Sequence, residues 1–532
     1  MTGRHVLVIG GGLAGISAAI QLREAGVAVT LLEARPWLGG ATCSFSRGDL
    51  VIDNGQHVFL RCCTAYQELL ARLGMTGSVS MQERFDVTVL TPGRQARLRR
   101  SSLPAPLHMT GTLARYGLLT PAERLKAARA ALGMRFANPA SPQLDDQRLG
   151  DWLGSRWQGE RARRRLWDLF IISALNIDGD EASTGLAATV IKTALLGRKD
   201  AADIGISSIP LGDLHGKAAA RLLARLGADV RPGVKAVSIE RGQDGAFRVR
   251  AVSAGDAADR RLVPGNGQGA EAAGPETTAP AETTAPAGAA DLAQAMSLAQ
   301  AADPAQAVSA TTDPAPSDAA DGVLTADAVV LAVPAWVATK LAPAGLGSDP
   351  ADWGELGVSP IVNVHVHYDR RVTRLPFAAA LESPVQWVFD KTRAAGVTTG
   401  QYLAVSLSAA DSYVDVPAAR LREQFLPALE QLFPAAADAS VLDFFVTRER
   451  RATFRQVPGS GRLRPGAGTS VPGLALAGAW TDTGWPDTME GAVRSGQNAA
   501  ERIITELAAL PPTQEMRAER IKGSEIAARA SS

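Results

Sequence analysis

The sequence predicts an α/β fold in which a Rossmann-like dinucleotide-binding domain is discontinuous along the chain and an α+β substrate domain is inserted into it. Three observations lead to this prediction. A glycine-rich strand–turn–helix unit opens the chain, apolar runs of strand length recur far downstream, and a helical segment near the end follows directly on such a run. Each is a typical piece of an open parallel sheet that is covered by helices.

The opening unit is the strongest of these observations. An apolar run of strand length leads into glycines at the G-x-G-x-x-G spacing, which are Gly10, Gly12 and Gly15. Gly10 permits the tight turn, Gly12 lets the backbone approach a pyrophosphate, and Gly15 lets helix and strand pack closely. A second apolar run at residues 27–32 ends at Glu33, an acid placed to bind ribose hydroxyls. This order of elements predicts a dinucleotide site.

A glycine pair beyond that acid indicates which dinucleotide binds. Gly39 and Gly40 follow Arg35 at short distance. A nicotinamide-only unit has no obvious need for glycines there, whereas a backbone that passes close under an isoalloxazine ring does. Near the other end of the chain, Gly478 follows a short buried strand and a helix begins near Met489. The positive end of that helix would stabilise a reduced flavin, so we expect bound FAD.

Two acids lie in the loop before this last helix. Asp482 is a candidate for hydrogen bonds to the ribityl chain or the pyrophosphate, and the alternative is an aspartate that only shapes a turn. Asp487 occupies the position where an N-cap is expected for a helix that runs to about Leu507.

Composition and charge exclude several classes of function. The 532 residues suffice for two or three domains, and 46% hydrophobic with 20% charged residues is ordinary for a globular protein. A net charge of +1 gives no general attraction to nucleic acid. With three cysteines, six histidines and no C-x-x-C pattern, we predict neither a disulfide framework nor a metal site.

The same features predict a cytoplasmic protein. The first strand begins so early that we expect no signal peptide. No apolar stretch reaches the ~20 residues that a membrane-spanning helix needs. Any contact with a membrane is therefore expected to be peripheral.

The pattern of strands and helices divides the chain into domains. The FAD-binding domain is predicted to consist of residues 1–59, 206–251, 323–349 and 461–510. The substrate domain is predicted to consist of residues 60–205 and 350–460.

Two further segments differ in composition from these domains. Residues 262–322 repeat Ala-Pro and contain neither basic nor aromatic side chains, so they bury too little apolar surface to offset the entropy of ordering. We therefore predict that residues 252–322 are a disordered Ala/Pro-rich insertion in place of a hairpin loop. Residues 511–532 are predicted to be a flexible tail.

On these motifs the chain resembles the amine oxidase/phytoene desaturase superfamily of FAD flavoproteins. The matching stretches are residues 10–15, 33–40, the strand that begins at Val234, residues 326–334 and residues 478–496. Within the superfamily, four stretches are similar to the squalene-associated flavoproteins. They are residues 53–60, 62–66, 174–176 and 478–486.

The resemblance implies a set of FAD contacts and a reaction. The implied contacts are Gly10, Gly12, Gly15, Glu33, Arg35, Gly40, Ala41, Val234, Gly478, Asp482 and Met489. Val234 would meet the adenine through its backbone, and Met489 would present a helix-terminal amide to the flavin. The implied substrate is a long-chain isoprenoid. The implied reaction is the reductive removal of the allylic hydroxyl of hydroxysqualene, which gives squalene and water for hopanoid synthesis.

Two other functions stay open at this point. The cofactor motifs are shared with enzymes that run the redox step in the opposite direction, so an oxidative desaturase of squalene or of a carotenoid precursor is the first alternative. The second is a prenyl-lipid binding protein on the same fold without redox activity. The intact glycines and Glu33 argue against this second alternative.

The sequence does not identify the catalytic residues, but it offers one candidate. His57 lies closest to the expected flavin and is a candidate proton donor to the leaving hydroxyl; the alternative is a histidine packed there for structural reasons. We interpret Cys62 and Cys63 as small packing residues, and His365 and His367 as partly exposed strand residues without a third metal ligand.

One segment suggests contact with lipid. Residues 110–136 mix leucines with arginines and a lysine, a composition that suits a surface resting on anionic lipid at the inner face of the plasma membrane. An ordinary solvated helix is the alternative. Association with other enzymes of the squalene pathway is the remaining expectation about partners.

Overall fold

The computed structural model describes residues 3–253 and 322–510. Of the predicted insertion over residues 252–322, Val252 and Ser253 end one strand and Gly322 begins the next, so these three residues belong to the sheet instead. The rest of that insertion and the predicted tail at residues 511–532 lie outside the described residues.

The strands of the described residues fall into several sheets. In chain order they are β1 (His5–Ile9), β2 (Ala28–Glu33), β3 (Ser44–Arg47), β4 (Leu50–Asp53), β5 (Val58–Leu60), β6 (Val79–Met81), β7 (Asp86–Thr91), β8 (Arg94–Arg99), β9 (Ile204–Ser207), β10 (Asp229–Pro232), β11 (Val234–Arg241), β12 (Phe247–Ser253), β13 (Gly322–Ala326), β14 (Ala328–Leu331), β15 (Ser359–Tyr368), β16 (Phe377–Ala380), β17 (Trp387–Asp390), β18 (Gln401–Leu407), β19 (Val441–Thr453) and β20 (Leu474–Leu476).

The helices are numbered in the same way. They are α1 (Leu13–Glu24), α2 (Thr64–Arg72), α3 (Thr110–Arg115), α4 (Pro121–Phe136), α5 (Pro142–Asp145), α6 (Leu149–Gly154), α7 (Glu160–Ala162), α8 (Asp168–Leu175), α9 (Thr184–Val190), α10 (Ala218–Arg225), α11 (Ala335–Leu341), α12 (Pro350–Glu355), α13 (Ala418–Leu432) and α14 (Met489–Ala509). Segments of π-helix at Arg163–Trp167, Ile191–Gly197 and Gly212–Lys217 adjoin α8, α9 and α10.

A five-stranded parallel sheet forms the centre of the nucleotide-binding part. Its order is β10-β2-β1-β14-β20, with every neighbouring pair parallel. Strands covered on both faces read as continuous apolar runs. Val6, Leu7 and Val8 of β1 accordingly have no exposed surface. The carboxyl end of β1 leads straight into the glycine-rich turn, which places that turn at the edge of the sheet where ligands of open α/β sheets bind.

Two helices from opposite ends of the chain pack closely on this sheet. A Cβ placed on Gly496 of α14 would lie 2.1 Å from the Ala14 carbonyl oxygen of α1, so only glycine permits the observed approach. The last helix of the described chain is thereby held beside the first.

A mixed seven-stranded sheet carries the substrate part. Its order is β19-β15-β18-β17-β16-β7-β8, antiparallel except for the parallel pair β16 and β7. Strands β7 and β8 come from the predicted segment 60–205 and the other five from 350–460. Four of the boundaries proposed above fall inside strands, which are 59/60 in β5, 205/206 in β9, 251/252 in β12 and 322/323 in β13. The domain division itself stays a prediction.

The described residues also form three smaller sheets. Strands β11, β12 and β13 form an antiparallel sheet, β3 and β4 a hairpin, and β5, β9 and β6 a three-stranded sheet. Within residues 3–253 and 322–510, no helix is long and apolar enough to cross a bilayer.

Candidate cofactor and substrate site

The three glycines of the first turn have different surroundings. A Cβ on Gly10, whose φ is +107°, would lie 2.2 Å from the Ala332 carbonyl oxygen, and one on Gly15 would lie 1.8 Å from the Gly10 carbonyl oxygen. These two glycines are therefore required by packing inside the protein. A Cβ on Gly12 would meet only the Cα of Gly40, at 4.0 Å. Gly12 thus keeps its backbone open to a ligand rather than to another part of the chain.

The acid at the end of β2 is fixed beside this turn. Glu33 is buried, and its Oε2 accepts a hydrogen bond from the Gly11 amide at 2.6 Å while its Oε1 accepts one from the Arg35 amide at 2.8 Å. The second glycine pair is joined to the same turn, because the Gly39 amide donates to the Gly11 carbonyl at 2.8 Å. Arg35 Nη1 donates to the carbonyl of Gly40 at 3.1 Å.

Two further predicted FAD contacts, Val234 and Ala41, differ in their burial. Val234 is buried as the first residue of β11, and the amide of the preceding Gly233 donates to the Arg35 carbonyl at 2.9 Å. Ala41 is exposed, and its carbonyl accepts from Asn54 Nδ2 at 3.3 Å. The structure therefore brings these positions next to the glycine-rich turn.

The C-terminal segment approaches from α14. Gly478, with φ of +140°, donates its amide to Ser495 Oγ of α14 at 2.8 Å. Asp482 is exposed, and its Oδ1 accepts from the Gly484 amide at 3.1 Å, which is the turn-forming arrangement. Met489 is the first residue of α14.

The predicted N-cap of that helix is wrong by one residue. Thr488 caps α14, with its side chain accepting from the Gly491 amide at 3.2 Å. Asp487 instead accepts from the Phe454 amide at 2.9 Å, because its side chain turns toward the strand-to-loop segment behind it. Burial raises the pKa of Asp487 to about 6.

These residues fit a dinucleotide cofactor. Gly12 and Gly40 leave a gap that a Cβ on either would narrow, and the start of α1 presents backbone amides at the same place. Glu33 would hold the ribose end, and Gly478 with Met489 would border the ring end. The individual contacts to FAD stay a prediction.

An apolar cavity of about 240 Å³ lies between the nucleotide-binding part and the seven-stranded sheet. Its wall is built mostly of aliphatic and aromatic side chains with a few hydroxyls and thiols. The lining residues are Gln56, Val58, Phe59, Leu60, Cys62, Cys63, Phe85, Leu169, Phe170, Ser173, Ala174, Thr189, Val190, Thr193, Ala194, Leu195, Ala202, Ile204, Phe377, Trp387, Phe389, Ser406, Ser408, Trp485, Pro486, Thr488, Met489 and Glu490. Because Met489 is among them, the cavity reaches the helix end that is predicted to face the flavin.

Glu490 is the one charged side chain among the described residues of this wall, and its charge is satisfied. Its two oxygens accept from the amides of Ala65 and Tyr66 at 3.1 and 2.8 Å, and Arg494 Nε donates to it at 2.7 Å. The cavity therefore offers an apolar ligand a surface without a free charge.

One side of the cavity is aromatic. Phe377, Trp387 and Phe389 on β16 and β17 have ring centroids 6.2 to 6.4 Å apart. Trp387 Nε1 donates to Ser173 Oγ at 2.7 Å, which fixes the orientation of the indole. Such π faces suit contact with alkenes and with a developing positive charge.

Alternation along the segment after β4 decides which side chains face the cavity. Gln56 and Val58 line it, whereas His57 between them does not. Cys62 and Cys63 also line the wall, and Cys63 packs against the neighbouring hydrophobic core. Their interpretation as small packing residues stays a prediction. A hydrogen bond from the Cys63 thiol lowers the pKa of Cys62.

A buried ion pair lies behind His57. Lys391 Nζ is 2.9 Å from Asp53 Oδ2, with only 9% and 3% of the two side chains exposed. Asp53 Oδ1 also accepts from Ser44 Oγ at 2.7 Å and from the Leu211 amide at 2.9 Å.

The surroundings of His57 disfavour the role predicted for it. Burial lowers the pKa of His57 to about 4; nearby Asp53 opposes this shift and Lys391 adds to it. The imidazole is therefore neutral near pH 7, and it does not face the cavity. Both observations favour a structural role over that of a proton donor.

Two other histidines are fully buried. His365 has no exposed surface, which makes its predicted partial exposure wrong; its ring hydrogen-bonds to Tyr402 Oη at 2.6 Å and to Thr447 Oγ1 at 3.0 Å. His215 is equally buried and hydrogen-bonds to Tyr66 Oη at 2.7 Å. Burial lowers the pKa of each to about 3.

These low pKa values predict that the protein loses stability in mild acid. Below about pH 6.5 the unfolded chain protonates His57, His215 and His365 while the folded protein does not, which costs about 1.4 kcal/mol per pH unit for each histidine. Burial raises the pKa of Asp168 to about 7 and that of Asp487 to about 6, and both groups oppose this trend. Three histidines outweigh two carboxyls, so the free energy of unfolding, measured by denaturant titration, should fall from about pH 6.5 toward pH 4. His365→Gln should flatten this slope, and His367→Gln, on the same strand but partly exposed, should not. Equal slopes in all three proteins would contradict the prediction.

With the geometry established, comparison with known proteins places the chain in a family. The sequence model of the flavin containing amine oxidoreductases matches residues 13–263 and 298–504. The chain belongs to the flavin containing amine oxidoreductase family. The predicted flavin cofactor is therefore confirmed.

Three relatives are similar over nearly the whole chain. Hydroxysqualene dehydroxylase of Sinorhizobium fredii is 28% identical, over 94% of this chain and 99% of that protein. The protein of the same name from Rhodopseudomonas palustris is 29% identical, over 94% and 98%. Zeta-carotene desaturase of Synechocystis sp. is 24% identical, over 95% and 98%. This chain is thus an oxidoreductase related to enzymes named for isoprenoid substrates.

Solved structures confirm the predicted α/β fold. Cyclohexylamine oxidase from Brevibacterium oxydans superimposes with a TM-score of 0.63 at 19% identity, covering 95% of this chain and 99% of that one. Putrescine oxidase gives 0.62 at 17% identity, covering 94% and 99%. The Rossmann-like parallel sheet and the added substrate part are shared with these oxidases.

Several residues of this flavoprotein site were not singled out from the sequence. Gln56, Trp485 and Glu490 line the cavity, and Lys391 pairs with Asp53 beneath it. The alternation around His57 was a usable signal for Gln56. No sequence pattern indicated Lys391, because its partner Asp53 is distant in sequence and lies on β4.

Proposed function

We propose that this flavoprotein catalyses the FAD-dependent reductive dehydroxylation of hydroxysqualene to squalene in squalene and hopanoid biosynthesis. The observation that carries the proposal is the apolar cavity that includes Met489 in its wall and has no unpaired charge among its described lining residues. The names of the relatives in Sinorhizobium and Rhodopseudomonas support the same substrate.

The chemistry requires an environment that the cavity supplies. The C–O bond of the allylic alcohol breaks as its oxygen gains a proton, and the products are water and a delocalised allylic cation. When bound, FAD in its reduced form supplies the hydride that completes squalene. The chain holds the reacting carbon at near-attack distance and keeps water away from the cation. The aromatic wall of Phe377, Trp387 and Phe389 stabilises positive charge along the isoprenoid.

The same cavity also fits an oxidative desaturase, the first alternative. Relatives named zeta-carotene desaturase and 15-cis-phytoene desaturase favour keeping it as the second candidate.

Amine oxidation is less well supported. Trp480 is not part of the cavity wall; it packs on Trp353 with ring centroids 5.2 Å apart and donates its Nε1 hydrogen to the Val333 carbonyl.

The direction of the reaction is tested under anaerobic conditions. Photoreduced protein mixed with hydroxysqualene should reoxidise its flavin, seen by absorbance, and yield squalene by mass analysis. Thr193→Phe, which fills the cavity, should lower the rate by about tenfold or more while leaving the flavin spectrum unchanged. The matched control Thr505→Phe lies on the exposed side of α14 and should react like the parent protein.

Two other outcomes of these experiments would support the alternative functions. Desaturated product from squalene or a carotenoid precursor under oxidising conditions, without reaction on hydroxysqualene, would establish the desaturase. Binding of isoprenoid without any spectral change would indicate the prenyl-lipid binding protein. A cytoplasmic location and association with other enzymes of the squalene pathway are parts of the same proposal.

A further inference from the structure

Helix α4 has apolar side chains on its outer face, where solvent would be expected. Leu125, Leu132 and Phe136 lie on one stripe and are 74%, 51% and 79% exposed. We name these three residues the outer stripe. The opposite side of the same helix already packs on the protein through Ala127, Ala130 and Met134, which are buried. The outer stripe therefore takes no part in packing the helix against the protein.

A neighbouring loop extends this apolar surface. Leu103 and Leu107 are 49% and 52% exposed. Between them, Pro104 and Ala105 border a surface groove whose other side is formed by residues 197–200. The end of α4 adjoins the same segment, since Arg135 donates to the Leu196 carbonyl. The loop and the helix together expose five large apolar side chains, which is unusual for elements that meet only water.

This region adjoins the cavity wall. Arg135 Nη1 of α4 donates to the Leu196 carbonyl at 2.8 Å, and Lys192 Nζ donates to the Ala137 carbonyl at 2.6 Å. Both bonds attach α4 to the π-helical segment Ile191–Gly197, whose residues Thr193 and Leu195 line the cavity. The segment on which the end of α4 packs therefore also forms part of the cavity wall.

The charges around the outer stripe are mainly positive. Helix α4 carries Arg124, Lys126, Arg129 and Arg135 against a single acid, Glu123. That acid is engaged, because Arg161 Nε donates to it at 2.8 Å. Arg129 lies within the stripe itself, between Leu125 and Leu132, and is exposed. Apolar side chains bordered by cations fit the interface of an anionic bilayer.

We propose that the outer stripe, with Leu103 and Leu107, docks on the surface of an anionic lipid bilayer and inserts its apolar side chains among the headgroups. The purpose of this contact rests on the proposed function, since an isoprenoid substrate partitions into lipid and would enter the cavity from there. The contact itself does not depend on which reaction is catalysed.

Flotation of the full chain with lipid vesicles tests the contact directly. The protein should float with vesicles of phosphatidylcholine and phosphatidylglycerol, and much less with phosphatidylcholine alone. Raising the salt concentration should weaken the binding. The triple substitution Leu125→Ser, Leu132→Ser and Phe136→Ser should reduce the bound fraction by about tenfold or more.

A matched control separates this site from general hydrophobicity. Val323 and Leu442 are 60% and 56% exposed elsewhere on the surface, and serine at both should leave flotation unchanged. Flavin absorbance and thermal unfolding of each variant establish that it is folded. Equal flotation of the triple variant and the parent, or absence of flotation by the parent, would overturn the proposal. So would a dimer in the parent that the triple substitution converts to monomer, because a second copy would then be the occupant.

Activity measurements distinguish a failure of the proposed reaction from a failure of the proposed lipid contact. If the triple variant reacts normally with hydroxysqualene dispersed in detergent but at least roughly tenfold more slowly with the same substrate in vesicles, both proposals hold. If neither protein reacts and flotation still depends on the outer stripe, only the reaction is wrong.

Discussion

Replacing Gly12 by valine should produce a folded protein that has lost most of its flavin. The backbone at Gly12 has φ of −73° and ψ of 179°, an extended conformation that valine adopts without strain. An added Cβ there meets only the Cα of Gly40, at 4.0 Å, so we expect the fold to accommodate the side chain. It would instead fill the gap through which a pyrophosphate approaches the turn. We expect the ratio of flavin to protein to fall by about tenfold or more.

Two other glycines make this experiment specific. Gly77 is exposed, has nothing within 4 Å of its added Cβ, and lies away from the site, so Gly77→Val should keep its flavin. Gly15→Val should fail differently, because its Cβ would lie 1.8 Å from the Gly10 carbonyl oxygen and the first helix would be displaced. Absorbance at the flavin bands together with circular dichroism separates the two kinds of failure. A Gly12→Val protein with full flavin content would show that the pyrophosphate lies elsewhere.

The parts of this site that are local in sequence were predictable. Gly10, Gly12, Gly15 and Glu33 belong to one strand–turn–helix–strand unit, and each has a conformational or chemical reason that is visible in the sequence alone. The structure places them around one turn, where Gly10 and Gly15 are in close contact and Glu33 accepts a hydrogen bond from Gly11, and their contacts with the cofactor stay a prediction. The same is true of Gly478, which follows a short buried strand and bends the chain toward α14.

What the sequence could not indicate depends on contacts between distant segments. His365 looked half exposed because a strand normally alternates, but its sheet is covered on both faces there and Tyr402 and Thr447 satisfy its ring. Asp487 and Thr488 are both good capping residues, and only the Phe454 amide, from another segment, decides which of them caps the helix. The cavity is likewise assembled from loops and helices of several segments.

The cavity wall shows the same division in more detail. Met489 was predicted as a flavin contact at the start of the last helix, not as part of the cavity wall. Phe377, Trp387 and Phe389 belong to no motif, because aromatic residues on strands are usually ordinary core. Their role follows only from the pairing of β16 with β17 and of β16 with β7, which turns them toward α8.

The second prediction of large effect concerns the ion pair beneath His57. Lys391→Met should destabilise the protein by about 3–5 kcal/mol, because it leaves the buried Asp53 carboxylate without its cation. The midpoint of thermal unfolding should fall by several degrees. Arg450→Met is the matched control, since Arg450 pairs with Asp415 at the surface with 60% and 77% of the side chains exposed. Removing that screened pair should cost only about 0–1 kcal/mol.

A double variant tests whether the loss of stability comes from the unpaired charge of Asp53. Asp53→Asn together with Lys391→Met leaves no buried charge, while the amide oxygen of the new side chain can still accept from Ser44 and Leu211, so most of the lost stability should return. The titration of His57, followed by NMR of labelled imidazole, gives a readout that general destabilisation would not mimic. Its pKa should rise in Lys391→Met, because a nearby cation is removed, and fall in Asp53→Asn, because a nearby anion is removed. Shifts of the opposite sign would mean that neither charge lies close to His57.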